Sequence, residues 1–416
     1  MISQSLNDRL TRCGNSTPAG EVLRRYWQPA ALQDEITSGL PLAVNLLGEK
    51  LALLASASHD GQYVLATRKA GTDESTSGQS EIEHPASSSI QINTDGPVYP
   101  TTIKNGIVFA YLGKNKLPEF PQLDCFRAPT SHTFAFKGLW SCNWLQALEI
   151  GIDPAHASYL HRFLQDEDPE DGYGKQFRDK AAQTEIPMTQ LLREYPRPDI
   201  DVEETDYGLK ITALRHMQNE MTHVRVTNQI FPTAICIPMS REMTITQWHV
   251  PIDDRHCYWY TIFTSFNEPV NKEVMRQQRL QEHRLPDYAP VKNKSNNYQY
   301  DPAEQETMTY TGMGLDINVH DQWAVEGMGA IQDRTREHLG RSDVAIIRYR
   351  RMLRQAISAM QQNPETTELP MLNGTDPALI KGPLSNDSIA PKADWRSASQ
   401  QADEQRRASC PWNAIV

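Results

Sequence analysis

The sequence predicts an α+β protein: a small antiparallel β unit, then a larger unit in which antiparallel strands and long helices pack together. Three observations carry this. Residues 42–112 hold short apolar runs separated by tight-turn residues. Residues 209–266 hold five more strand-like runs. Residues 343–360 form an amphipathic helical pattern, with Val344, Ile347, Met352 and Ile357 among its apolar positions. The implied organisation is an N-terminal helical segment (1–40), the β unit (41–120), the second unit (121–362) and an extended tail (363–416).

A chain of 416 residues is long enough for a sizeable core and two structural units. The formal net charge is −11 and no basic cluster stands against it, which argues against nucleic acid as a partner. No run of 18 apolar residues exists, so no membrane-spanning helix is expected. The first residues, Met1-Ile-Ser-Gln-Ser-Leu-Asn-Asp, lack a basic stretch followed by an apolar one, so no secretory signal is expected. The six cysteines are scattered without close pairs, which suits reduced thiols in a cytoplasmic protein better than a disulfide framework.

Taken in order, the first segment starts helical and reaches Arg24-Arg25-Tyr26-Trp27-Gln28-Pro29-Ala30, read as an aromatic packing anchor. Runs 42–47 and 51–55 flank Gly48-Glu49, a hairpin signal. His59-Asp60-Gly61 is a turn, and residues 62–68 read as a third strand. Runs 98–104 and 107–112 flank Asn105-Gly106, the strongest two-residue hairpin signal. A proline-punctuated linker, Leu117-Pro-Glu-Phe-Pro, precedes the second unit. Its strand-like runs cover 209–214, 222–230, 235–238, 243–251 and 257–266, and within 222–230 Val224, Val226, Asn228 and Ile230 share one face. The acidic stretch within 163–185 reads as a solvated loop, or more sharply as a lid. The tail from Gln361 is too polar to fold alone and is expected to wrap a neighbour.

The chemistry-bearing stretch is Asn143-Trp-Leu-Gln-Ala-Leu-Glu-Ile-Gly-Ile-Asp153-Pro-Ala-His156-Ala-Ser-Tyr-Leu-His161. Two imidazoles and one carboxylate form the facial triad that leaves open positions on Fe(II). A spacing of five puts His156 and His161 about 140° apart on an ideal helix, so both reach one metal only if the helix widens, as at a π-bulge. The spacing alone leaves open a pair of polar residues that bind nothing. Asp153 before Pro154 also fits a simple helix cap.

The string N-W-L-Q-A-L-E-x-x-x-D-x-x-H-x-x-x-x-H resembles the iron-binding helix of Rieske non-haem iron oxygenases, in particular the phthalate dioxygenase-like group of large subunits. The likeness extends from about residue 25 to about residue 356. It includes Gln247-Trp-His-Val-Pro-Ile-Asp-Asp, similar to the family's H-W-x-V-P-I-D-D strand, and the stretch Val319-His320-Asp321-Gln322 onward, similar to its C-terminal helix. The resemblance implies a helix-grip catalytic domain, a curved antiparallel sheet around a long helix, with mononuclear Fe(II) held by His156, His161 and Asp321. Asp153 would carry the electron path, because the family's matching Asp bridges a metal-ligating histidine and a cluster-ligating histidine of the neighbouring subunit. Asp333, Arg334, Glu337 and His338 would support the site or contact a neighbour, and Asn228 and His249 are candidates for the substrate pocket. His320 replaces the family's glutamine beside Asp321.

One part of the family's pattern is missing. A Rieske [2Fe–2S] cluster needs two cysteines on one iron and two histidines on the other. Residues 64–105 contain no cysteine and a single histidine, His84, read as an ordinary surface residue. Polar stretches of Ser, Gly and Thr occupy the positions of the cluster loops. No [2Fe–2S] cluster is therefore expected in this chain. The expected partners are a cluster-bearing oxygenase subunit or a Rieske/ferredoxin protein, an NAD(P)H-dependent reductase, O2 and a small aromatic or heterocyclic substrate, in a trimer-based hetero-oligomer. The alternatives are a non-catalytic companion subunit and, on weaker grounds, a metal hydrolase.

Overall fold

Local signals in the first residues set the start of the fold. Ser3 and Thr17 cap the helices Gln4–Thr11 and Pro18–Leu23 by accepting hydrogen bonds from Leu6 N and Gly20 N, and Pro18 sits at the first helical position, where no N–H is needed. In this computed structural model all residues are described except 57–61, 70–81, 83–88, 166–185, 187, 241, 373–384 and 413–416. The His59-Asp60-Gly61 turn, His84, most of the polar stretches in place of cluster loops, and nearly all of the acidic loop lie outside the described residues.

The first sheet contains β1 (Gln28–Leu32), β2 (Leu42–Leu46), β3 (Glu49–Ala55), β4 (Tyr63–Thr67), β5 (Val98–Lys104) and β6 (Ile107–Ala110). The strands run in the order β1-β6-β5-β4-β3-β2, and every pair is antiparallel. Asn105 and Gly106 turn β5 into β6 with φ of 43° and 89°, the left-handed pair that a tight hairpin of this twist requires. Leu47 and Gly48 make the β2–β3 turn in the same way.

The second sheet contains β7 (Thr133–Trp140), β8 (Asp199–Thr205), β9 (Gly208–His216), β10 (Met221–Ile230), β11 (Ala234–Pro238), β12 (Met243–Pro251) and β13 (Cys257–Ser265). Its order is β7-β13-β12-β11-β10-β9-β8, again antiparallel. Every residue of β12 and β13 is buried, so both faces of the sheet's centre are covered. The helix Trp144–Gly151 packs on β11, β12 and β13, and the helix Val344–Gln362 packs on β8, β9 and the Pro18–Leu23 helix. This is the helix-grip arrangement expected from the sequence. A short hairpin of β14 (His283–Arg284) and β15 (Ala289–Pro290) follows the helix Lys272–Glu282. No helix of the described residues is long and apolar enough to cross a membrane. All six cysteines are buried and none forms a disulfide.

The two sheets share one core. Phe109 of β6 meets Trp248 of β12 edge-on at 5.6 Å. The Arg24-Arg25-Tyr26-Trp27 segment is the anchor at this seam. Arg24 donates to Leu47 O and Glu49, Arg25 to Pro364 O and Thr366 O, Tyr26 to Pro370 O and Trp27 to Pro118 O.

The tail differs from its expectation. It returns to its own chain: β16 (Asp387–Pro391) pairs antiparallel with residues 221–225 of β10, and the helix Trp395–Ser409 packs on β16. The reason is charge pairing rather than hydrophobicity. Asp387 is fully buried against His223 and Arg225, and Arg407 meets Asp124 with two hydrogen bonds of 2.9 and 2.8 Å. A composition-based reading misses such partners because they sit some 160 to 280 residues away in sequence.

Candidate metal centre and adjoining cavity

The polar residues of the N-W-L-Q-A-L-E string fasten the helix Trp144–Gly151 in place. Asn143 caps it, accepting from Leu145 N, while its amide donates to Thr11 O and Asp254 O. Gln146 donates to Val325 O and Gly329 O at 2.9 and 2.7 Å, at the C-terminal end of the helix Ile317–Gly327. Glu149 is buried between Arg334 and Arg350. Burial alone would raise its carboxyl, but the two guanidinium groups outweigh that and hold it below the usual range. Gln146 therefore sets the distance between the segment bearing the two histidines and the helix bearing Asp321.

The chain reaches both histidines by breaking the helix, not by widening it. Helical geometry ends at Ile152, where φ is −98° and ψ 0°, and resumes as the short helix Ala157–Leu160. Pro154 accounts for the break, since it lacks an N–H and disfavours a helical residue before it. Asp153 spans the gap, its two oxygens accepting from Ala155 N and His156 N at 2.8 and 3.1 Å. Arg215 of β9 braces the loop from beneath by donating to Pro154 O and Ser158 Oγ.

The result is convergence. His156 Nε2 and His161 Nε2 are 3.1 Å apart, and Asp321 Oδ1 is 3.5 and 3.1 Å from them. The partners of the other ring nitrogens determine the tautomers. His156 Nδ1 contacts Asp153 O, a pure acceptor, so it carries the proton. His320 Nε2 donates to Gly314 O at 2.8 Å, which leaves its Nδ1 as acceptor for His161 Nδ1 at 3.5 Å. Both Nε2 atoms then point lone pairs at each other and at Asp321 Oδ1, a buried oxygen that accepts no hydrogen bond. Three lone pairs facing one another repel unless a cation lies between them. Burial pushes Asp321 up to about 6 and His156 down, and a bound cation would favour the carboxylate and the neutral imidazoles instead. The donor set of two imidazoles and one carboxylate suits Fe(II) with open positions. Among the described residues, this is the one group of three or more such side chains placed to hold a metal.

A cavity of about 180 Å³ opens beside His156, His161 and Asp321. A void of about 150 Å³ accommodates a benzene ring. Ile211, Ala213, Ile237, Ile245 and Phe263 of the second sheet line one wall, and Asp316, Ile317 and Asn318 another. Asn228 and His249 are not among the lining residues. Asn228 is fully buried and accepts from Tyr207 Oη at 2.7 Å. His249 is fully buried against Trp140, where burial pushes it down to about 3. Arg334 and Glu337 belong to the Glu149–Arg350 network, whereas Asp333 and His338 are exposed.

His320, Arg215, Gln146 and Arg225 escape a reading by motif because each acts through a partner distant in sequence. For His320 the departure from the family's glutamine was the available signal. His320→Leu is expected to weaken metal retention roughly tenfold to a hundredfold, the usual effect of losing the group that orients a ligating histidine. Competition against a chelator measures this, and His320→Gln should restore most of it. Equal retention in all three proteins would remove this role for His320.

Comparison with known proteins agrees with this geometry. Residues 110–410 match the family described as LigXa C-terminal domain like. The chain is 29% identical over 400 residues to the phthalate 4,5-dioxygenase oxygenase subunit of Pseudomonas putida, covering 87% of each protein. It is 26% identical to the tert-butanol monooxygenase / tert-amyl alcohol desaturase oxygenase subunit of Aquincola tertiaricarbonis, covering 85% of this chain and 76% of that one. Among solved structures, the NdmA QL mutant of Pseudomonas putida CBB5 with theobromine superposes with a TM-score of 0.50 at 14% identity, over 83% of this chain and 94% of that one, a likeness of fold.

Proposed function

Because this chain belongs to the family of Rieske-type oxygenase large subunits, and is thus an oxidoreductase of the oxygenase class, we propose that it is the oxygen-activating subunit of a multicomponent ring-hydroxylating system. In this reading His156, His161 and Asp321 hold Fe(II), and the bound metal supplies the activation of O2 for hydroxylation of an aromatic or heterocyclic substrate, including hydroxylation that leads to demethylation. The observation that carries it is the convergence of three lone-pair donors at the edge of a ring-sized cavity.

The chain's own residues do the positioning. Asp153 fixes the His156 backbone through its side chain and the imidazole through its carbonyl. His320 orients His161. Gln146 and the Glu149 network hold the two contributing helices at a set separation. The apolar sheet wall holds a ring against the open side of the metal and keeps bulk water away from it.

The electrons come from elsewhere in this proposal. No cysteine lies between Cys13 and Cys125, and no cysteine in the sequence is followed by histidine at the second or third position. A C-x-H and C-x-x-H cluster site therefore has no counterpart in this chain. A partner polypeptide would supply the Rieske cluster, fed by an NAD(P)H-dependent reductase, in a mixed trimer-based assembly in the cytoplasm. Asp153, half-buried beside His156, is the residue that would face it.

Metal and sulfide analysis tests this. The purified chain, loaded anaerobically with Fe(II), is expected to retain about one iron and no acid-labile sulfide. It should form product only when a cluster-bearing partner is added. Acid-labile sulfide in the chain itself, or turnover without a partner, would overturn the division of labour.

A further inference from the structure

The wall of the cavity opposite the apolar lining carries a charge that the metal centre does not use. Arg225 of β10 lines the cavity, with about a fifth of its side chain exposed there. Strand alternation puts Arg225 and Thr227 on the cavity face, while Val224 and Val226 point into a separate apolar cluster behind the sheet. Arg225 is held rather than free-swinging: its Nη1 donates to Asp387 Oδ2 at 2.6 Å, and the other oxygen of Asp387 meets His223 Nε2, also at 2.6 Å. Asp387 is itself fully buried. It comes from β16, so the C-terminal tail supplies the group that aims Arg225.

The charges in this cluster do not balance. Arg215 lies behind Arg225 and acts on it as a like charge; burial and Arg225 together push its guanidinium down to about 10. Its Nε and Nη1 are buried and meet no acceptor among the described residues. Two guanidinium groups thus share the single carboxylate of Asp387. The other charged pair on the cavity wall, Arg279 with Asp316 at 2.5 Å, is balanced. A guanidinium with one edge satisfied and one facing a largely apolar cavity is suited to an incoming carboxylate, which its planar fork binds bidentately.

We propose that Arg225, aimed by Asp387 of the C-terminal strand, is the specificity residue that binds a carboxylate carried on the aromatic ring of the substrate. This rests on the cavity being the substrate site of the proposed oxygenase, and it adds that the substrate is an aromatic acid. It also gives the tail a function: without β16 nothing orients the guanidinium.

The test compares benzoate with its neutral isostere benzamide, by calorimetric titration of the Fe(II)-loaded full chain and with iron content measured in each sample. Benzoate is expected to bind and benzamide to bind markedly more weakly. Arg225→Gln should weaken benzoate roughly tenfold to a hundredfold, the usual range for a hydrogen bond to a charged group, and leave benzamide unchanged. Arg225→Lys keeps the charge beside Asp387 should the glutamine variant not fold, and it should retain part of the preference. Asp387→Asn should lower benzoate affinity with iron content unaltered. Equal binding of the two probes by the unaltered chain, or undiminished benzoate binding by Arg225→Gln, would overturn the proposal. Chain that discriminates the probes yet retains no iron would instead sink the metal reading and leave this one standing.

Discussion

Asp321→Ala is expected to remove iron and turnover together. Asp321 is the one carboxylate in the triad, and its Oδ1 accepts no hydrogen bond that folding depends on. The substitution should therefore leave the fold intact while taking away the sole negative charge that offsets a divalent cation. Two imidazoles alone hold Fe(II) weakly, because this metal ranks low in affinity among the first-row divalent ions. Iron per chain should fall to a small fraction of its normal value. Product formation in the reconstituted complex should drop on the order of a thousandfold or more, since the metal's contribution to the barrier is several kcal/mol. Metal analysis and product quantification on the same preparations check this. A complex containing Asp321→Ala that turns over at the normal rate would make the chain a non-catalytic companion.

The second large effect concerns stability. Glu149 accepts from Arg334 at 2.8 Å and from Arg350 at 2.5 and 2.9 Å, in a network that is almost fully buried. Glu149→Gln keeps the shape but leaves two buried cations without their shared anion. The expected loss is about 3–5 kcal/mol, read from the midpoint of denaturant unfolding. The sign of the pH dependence follows from the direction of the carboxyl's shift. Glu149 is held below its unfolded value of about 4.3, so its contribution is fully present above that pH and is lost as pH falls through the lower folded value. Glu149→Gln should accordingly narrow the stability difference between neutral and acid solution. A variant as stable as the parent at neutral pH would show that Arg334 and Arg350 find other partners.

Much of this was readable before any coordinates. Asn105-Gly106 marks its hairpin because only a left-handed pair closes so short a turn, and that is a local property. The alternation in β10 is likewise local and places Asn228 on the inner face correctly, though not in the cavity. His156, His161 and Asp321 could be named because a resemblance put them in register; their spacing alone did not decide between a metal and nothing. What the sequence hid is long-range. Nothing near Asp387 announces that it will meet Arg225, 162 residues earlier, and pull a polar tail into a sheet. The helix break at Ile152 was also readable in part, since Pro154 stands two residues on; the error lay in assuming that one helix must carry both histidines. The strands β1, β7 and β8 escaped because their alternation is interrupted or weak, and their pairing partners lie elsewhere in the chain.

The most direct test of the central claim is anomalous diffraction at the iron edge from crystals of the Fe(II)-loaded protein. A single peak is predicted, roughly 2.0–2.2 Å from His156 Nε2, His161 Nε2 and a carboxylate oxygen of Asp321, the range for imidazole and carboxylate ligands of a first-row divalent metal. No peak at that point, or a peak held by other side chains, would contradict the account.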